Sequence, residues 1–531
     1  MNSTLEAEVS RVFPSYPRPA APITTHLSIL DATVARFTST GAIWLFDPPK
    51  TANDALLAHL SASFILTLND YPQWAGQLQW APSPPSLPGR PMLVHGSPDD
   101  PGVLWQVVSN PLRISDLVPE PSVRAANATH GIWDATSFPQ ADLVPSVQLA
   151  LSNLKDFAGM PGMAVQITTF ACSGFAVAVK MAHPLADAQS LLGFMHRWAA
   201  NGRALHLGAP AELGEPPVFD PALLDGAAAG DISKTGDPDL TLLEASRALP
   251  VHRFDWWGTD QSSYPSFLKP TTENSRLMGR DLYNSKSQKS RSQLKELPWH
   301  EWDLAAPVGH RQIHFTTSQL EALKRAARGI PGARSDVSKL DSLLAHVWVL
   351  IMSARSHMTK DVNVKHRPAY LNITLGARSR AQPPLPQSFV GSPLFLAHVR
   401  CPLGEYSDNP GLLPSKIRDT VSLFTPEKVG VLLYDLAHEP VPQRVWGAFL
   451  GSQHTIVTSW LRLGVYDIDF IGGAKPRYVQ AIMPKMDGCV QVMESANSDG
   501  MDVSLYLEET AMVRFVELRR EIAGGLIHTT E

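Results

Sequence analysis

The sequence predicts an α/β protein of two similar-sized halves with a cleft between them. Three observations carry this. Strand-like and helix-like stretches interleave before residue 204 and again after residue 306. The interval 205–305 is rich in Pro, Gly, Ser and Asp and reads as a long crossover. A length of 531 residues suffices for two or more domains with substantial cores. The halves are therefore placed at 1–204 and 306–531. A cleft between two such layers is the usual place for a small-molecule site.

The elements follow from hydrophobic period and punctuation. Thr40 to Phe46 is a continuous apolar run of strand length. Ala52 to Leu68 has helical spacing, with Leu56, Leu57, Leu60, Phe64 and Leu68 on one stripe. Met163 to Phe170 and Phe175 to Met181 read as two strands joined at the turn Cys172-Ser173-Gly174, and Leu191 to Ala200 as a helix. Within the crossover, Arg276 to Lys295 is polar and basic and reads as a solvated insertion. Order returns with a strand at His310 to Phe315. A helix at Leu320 to Arg328 follows, with Ser318 as its cap. A long apolar helix at Asp336 to Ala354, several strands and a closing helix at Glu509 to Glu521 complete the chain.

Composition narrows the function. A net charge of -5 argues against nucleic acid as the main partner. The three cysteines, Cys172, Cys401 and Cys489, form no C-x-x-C pair, so neither a disulfide framework nor a metal cage is expected. The opening Met1 to Glu6 lacks the basic start and apolar stretch of a signal peptide, and the longest apolar run, Leu343 to Ala354, is too short to span a bilayer. The expectation is a cytoplasmic, monomeric chain. Asn127-Ala128-Thr129 and Asn372-Ile373-Thr374 match glycosylation sequons and are read as accidents.

The chemistry is sought at His183-Pro184-Leu185-Ala186-Asp187, an H-x-x-x-D pattern directly after the strand that ends at Met181. With 18 His in the chain, about one such match is expected by chance, and the pattern does occur elsewhere, at His130 to Asp134 among others. Context separates them. His183 stands at a strand-to-helix corner, with Pro184 suited to a first turn. A neutral imidazole exposed there is a suitable general base. There is no G-x-S-x-G, H-E-x-x-H, P-loop or G-x-G-x-x-G. A second region, Thr458-Ser459-Trp460 through Asp469, Gly472, Gly473 and Lys475, combines a glycine pair suited to a tight turn with an aspartate that could anchor it by an ion pair.

Taken together, these regions resemble the BAHD acyltransferases of the coenzyme A-dependent acyltransferase superfamily. That family carries H-x-x-x-D-G in mid-chain and D-F-G-W-G-K-P near the C-terminus. The counterparts are His183 to Ala188 and Asp469 to Pro476. Leu68 to Leu78, Ala377 to Pro386 and Gly500 to Leu507 match further family segments in order. The match departs from the pattern at Gln77, Ala182 and Ala188, and its glycine loop is one residue longer.

The resemblance implies two α/β domains of the chloramphenicol acetyltransferase-like type with mixed sheets, and an active site in the channel between them. It implies acyl-CoA as a cosubstrate rather than a tightly bound cofactor, a small-molecule alcohol or amine as acceptor, and no metal. It makes His183 the base. Asp187 becomes a structural anchor paired with Arg378 or Arg380, which the sequence does not separate. Trp460 and Thr458 stand at the acyl oxyanion or acceptor pocket. Asp469, Gly472, Gly473 and Lys475 form a loop near coenzyme A. The hydroxycinnamoyl-transferring branch adds Arg444 as a holder of an acidic acceptor. Two alternatives stay open: a catalytically silent acyl-CoA-binding relative, and a condensation-domain-like enzyme using carrier-bound thioesters.

Overall fold

The computed structural model describes residues 7–528 apart from 18, 36, 50–54, 83–88, 127–129, 153–156, 233–236, 257–264, 266–292, 357–366, 403–409 and 440–441. The start of the helix expected from Ala52 and nearly all of the basic stretch from Arg276 lie outside the described residues.

Two large mixed sheets carry the fold. The first orders its strands Ala7–Val12, Val103–Asn110, Met163–Phe170, Phe175–Met181, Thr40–Phe46 and Tyr478–Ala481. Every residue of Thr40–Phe46 is buried, as a strand covered on both faces requires. The second orders Leu394–Pro402, Pro368–Gly376, His454–Ser459, Cys489–Glu494, Met501–Glu508, Val308–Phe315 and Ile132–Asp134. Each sheet thus takes an edge strand from the other side of the crossover. Tyr478–Ala481 pairs antiparallel with Thr40–Phe46, and Ile132–Asp134 with Val308–Phe315. The two exchanged strands lace the halves together through backbone hydrogen bonds. The second sequon is closed by the same architecture, because Asn372 is fully buried in its strand and donates to the Thr455 carbonyl.

Each half has its own core, one gathered around Phe64, Trp74 and Trp198, the other around Phe315, Trp348 and Phe389. The helix Leu56–Leu68 turns Leu60, Phe64 and Leu68 inward, but Leu57 is exposed, one residue off the stripe. The helix Thr317–Arg328 is capped by Thr316 and not by Ser318. Thr316 has the extended backbone a cap needs, and with Gln319 it forms a capping box. The closing helix, Glu509–His528, is longer than its pattern indicates.

The crossover contributes the helix Leu240–Arg247 and the short strand Phe254–Asp255, which pairs with Val445–Trp446. No helix among the described residues is long and apolar enough to cross a membrane.

Candidate active site

The strand Phe175–Met181 ends against Thr40–Phe46, with Met181 opposite Thr40. The chain then makes a single 3-10 turn, His183–Leu185, with Pro184 at a position that needs no N–H donor. Asp187 follows as the N-cap of the helix Ala188–Leu207 and accepts from the Ser190 N–H at 2.9 Å. The turn leaves His183 half-buried between the two sheets.

The second sheet supplies the other wall. Its strands Pro368–Gly376 and Leu394–Pro402 are joined by a loop that ends at Gly391 and Ser392. The Ser392 hydroxyl donates to the His183 carbonyl at 2.6 Å, and the same oxygen lies 3.0 Å from His183 Nδ1. A carbonyl can only accept, so the serine proton is committed to it. The remaining Nδ1 contact is then a donation from His183 to Ser392. This selects the tautomer with hydrogen on Nδ1 and an open lone pair on Nε2. Ser392 is itself held by the carboxylate of Asp31, which accepts its backbone N–H at 2.6 Å. Burial pushes the His183 imidazole down to about 4, against a smaller upward pull from its own carbonyl and from Asp187. The ring is therefore neutral at neutral pH. Phe37 meets it edge-on, with centroids 5.3 Å apart.

Asp187 points away from the imidazole. Arg378 grips its carboxylate with both terminal nitrogens, at 2.5 and 2.9 Å. It also donates to Ser190 Oγ and the Phe389 carbonyl. Burial raises the Asp187 carboxyl, but the Arg378 guanidinium and the Ser190 bonds together hold it below the usual carboxylate range. Of the two arginines left open by the sequence, Arg380 is excluded from this pair: it turns back to the Gly376 carbonyl at 3.0 Å.

The glycine loop is anchored differently from the ion pair expected. Asp469 accepts the backbone N–H groups of Ile471, Gly472 and Gly473, the first two at 3.1 and 2.9 Å. Gly472 and Gly473 both have left-handed backbone, φ 82 and 90. Lys475 is exposed and pairs with Asp467 at 2.9 Å. The loop sits on the helix that begins at Asp187. A Cβ on Gly202 would come within 2.7 Å of the Phe470 carbonyl, and Arg203 donates to the Asp469 carbonyl. The two motifs, about 280 residues apart in sequence, share one helix.

Trp460 is buried and enters the first half's core, and its indole N–H has no hydrogen-bond partner among the described residues. Thr458 is half-buried in the strand His454–Ser459. Arg444 does not stand free for an acidic acceptor. Its guanidinium is bidentate to Asp255, both contacts at 2.6 Å, and buried. No group of three or more His, Cys, Asp or Glu among the described residues could hold a metal ion.

Sequence reasoning missed Ser392, Asp31 and Phe37. None lies in a periodic pattern, and Ser392 gains its meaning only from a carbonyl 209 positions earlier in the chain. The adjacent Gly391 was the available signal.

Comparison with known proteins bears on the family and the fold. The chain is 27% identical over 530 residues to acyltransferase AFT15-1 of Alternaria alternata, covering 95% of each. It is 24% identical to hydroxycinnamoyl-CoA:piscidic acid hydroxycinnamoyltransferase of Actaea racemosa, over 69% of this chain and 71% of that one. Its fold is similar to that of F. sporotrichioides TRI101 complexed with coenzyme A and T-2, with a TM-score of 0.64, 14% identity and coverage of 92% and 96%. The Transferase family model matches residues 128–250 and 255–521, well over half the chain. The chain therefore belongs to the Transferase family, the BAHD acyl-CoA-dependent acyltransferases.

Proposed function

We propose that His183 Nε2 is the general base that moves an acyl group from coenzyme A to a hydroxyl or amine of a small molecule. The observation that carries this is the committed Ser392 proton, which leaves Nε2 as the free lone pair. Nε2 takes the acceptor's proton as its oxygen or nitrogen attacks the thioester carbonyl carbon. The negative charge that gathers on the carbonyl oxygen is met by the Trp460 indole N–H, with Thr458 beside it. When the carbon–sulfur bond breaks, the leaving sulfur takes the proton from the imidazolium, and His183 returns to its starting state. Asp187 and Arg378 position the turn and touch no reacting atom.

Asp469, Gly472, Gly473 and Lys475 are read as the loop beside coenzyme A. The three cysteines are free thiols, in keeping with a reducing, cytoplasmic setting. The test is thiol release from a panel of acyl-CoA donors offered with mixed alcohol and amine acceptors. Release that depends on the acceptor is expected. Tight acyl-CoA binding without release across the whole panel would instead make the chain a silent binder.

A further inference from the structure

Phe37 belongs to two neighbourhoods at once. Its half-buried ring packs edge-on against the His183 imidazole, with centroids 5.3 Å apart, and against Trp446 at 5.1 Å. It also lines a space of about 60 Å³ whose other walls are largely aliphatic, among them Leu30, Val34, Leu394, Leu396 and Leu432. His183 does not line that space, so Phe37 stands in the partition between the two. The partition is held from behind. Phe37 donates its N–H to the Val34 carbonyl at 2.9 Å, at the end of the helix Ile29–Thr33, and the Ser28–Asp31 capping box fixes the start of that helix.

The polar groups in the wall of the space are already engaged. Arg247 and Arg253 face Asp435 at 3.4 and 2.8 Å, and Ser246 donates to the same carboxylate. The Thr33 hydroxyl donates to the Leu30 carbonyl at 2.8 Å. Burial keeps His252 neutral. The space therefore presents no unanswered charge and suits an uncharged hydrocarbon.

The strand Thr40–Phe46 separates this region from the glycine loop. Its first residue lies opposite Met181, beside the turn that carries His183. Its last residue, Phe46, meets Phe470 of the glycine loop at 5.8 Å. The seven extended residues set these ends ~20 Å apart. Phe37 precedes the end nearer His183. With coenzyme A read as lying at the loop, the molecule that meets Phe37 is the acceptor.

Resting on acyl transfer at His183, we propose that Phe37 sets the length of the acceptor. The apolar body of the alcohol or amine ends at its ring, and the aliphatic space behind stays closed to substrate. Trimming the ring joins that space to the site and admits a longer neutral chain. Gly447, also in the wall, gives the means of closing it again. A Cβ there would have only Leu396 side-chain atoms within 4 Å, the nearer at 3.5 Å, an ordinary contact.

The probe is 1-octanol, with binding to the full chain measured by calorimetry without acyl-CoA. Phe37→Ala is expected to bind it about tenfold tighter than the wild type, the scale of a methylene gained in an apolar pocket. Phe37→Leu, a milder change, should give a smaller gain in the same direction and serves where the alanine variant does not fold. Adding Gly447→Leu to Phe37→Ala refills the space and should cancel the gain. In turnover, kcat/KM for 1-octanol relative to ethanol should rise in Phe37→Ala by a similar factor, with KM for acyl-CoA unchanged. Unchanged 1-octanol affinity in the Phe37 variants, a gain that survives Gly447→Leu, or a shift toward longer acyl donors in place of longer acceptors would overturn the proposal. The binding gain should persist when His183→Ala is added to Phe37→Ala. A failure of the acyl-transfer reading thus shows in turnover alone, and a failure here shows in binding.

Discussion

Ser392 decides which nitrogen of His183 carries the proton. Its proton goes to the His183 carbonyl, and its lone pair takes the Nδ1–H. Ser392→Ala removes the acceptor for Nδ1 and frees the tautomer. The expected result is a fall in kcat of about tenfold, of the order of one lost hydrogen bond, with KM for acyl-CoA unchanged. A fall in KM-linked affinity with kcat intact would assign Ser392 to binding. The pH profile is a second check at this scale. An unperturbed imidazole would be half-protonated near pH 6.5. His183, lowered by burial, keeps its base form until the pH nears about 4. The rate should therefore hold through the imidazole's ordinary range and fall only on approach to the lower value. Asp31, which burial pushes up to about 6, stands behind Ser392, and Asp31→Asn identifies an inflection there as its own. At this scale the sequence reveals the imidazole but not its orientation, because the orienting hydroxyl comes from the opposite sheet.

The element that organises the site is the helix Ala188–Leu207. Its N-cap is Asp187, its first turn places Ser190 against Arg378, and its last turns carry Gly202 and Arg203 to the glycine loop. Asp187→Ala removes the cap and leaves the Arg378 charge buried without its partner. The expected loss is about 3–5 kcal/mol of stability, read as a lowered Tm. The double variant Asp187→Ala, Arg378→Met should recover part of it, since no lone charge is then left inside. An inactive Asp187→Ala with unchanged Tm would give Asp187 a chemical role. The sign with pH follows from its lowered folded value. The contribution is complete above the unfolded value of 3.8 and is lost as the pH falls through the lower folded one. Buried strands were legible as apolar runs of strand length, as Thr40–Phe46 and Phe175–Met181 show. Caps were less so: Thr316, Thr317 and Ser318 all suit the role by type, and only backbone geometry chooses Thr316.

At the scale of the whole molecule, the site exists only where the two halves meet. His183 belongs to the first, Ser392 and Arg378 to the second, and the strands Tyr478–Ala481 and Ile132–Asp134 are exchanged between them. That exchange could not be read from the sequence. Ile132–Asp134 is too short for a period, and its partners around Ile313 lie far along the chain. The crossover is similarly more than a spacer, since Phe254–Asp255 pairs with Val445–Trp446 and Asp255 holds Arg444. The interleaved order of elements did announce two α/β halves with a cleft, and the pairing of His183 with a distant glycine loop announced the family. The most direct test of the central claim is single-turnover acyl transfer by His183→Ala beside the wild type, with acyl-CoA binding measured in both. The account predicts a rate lower by about 10²–10⁴-fold with donor affinity unchanged. A variant that binds the donor normally and transfers at the full rate would contradict it.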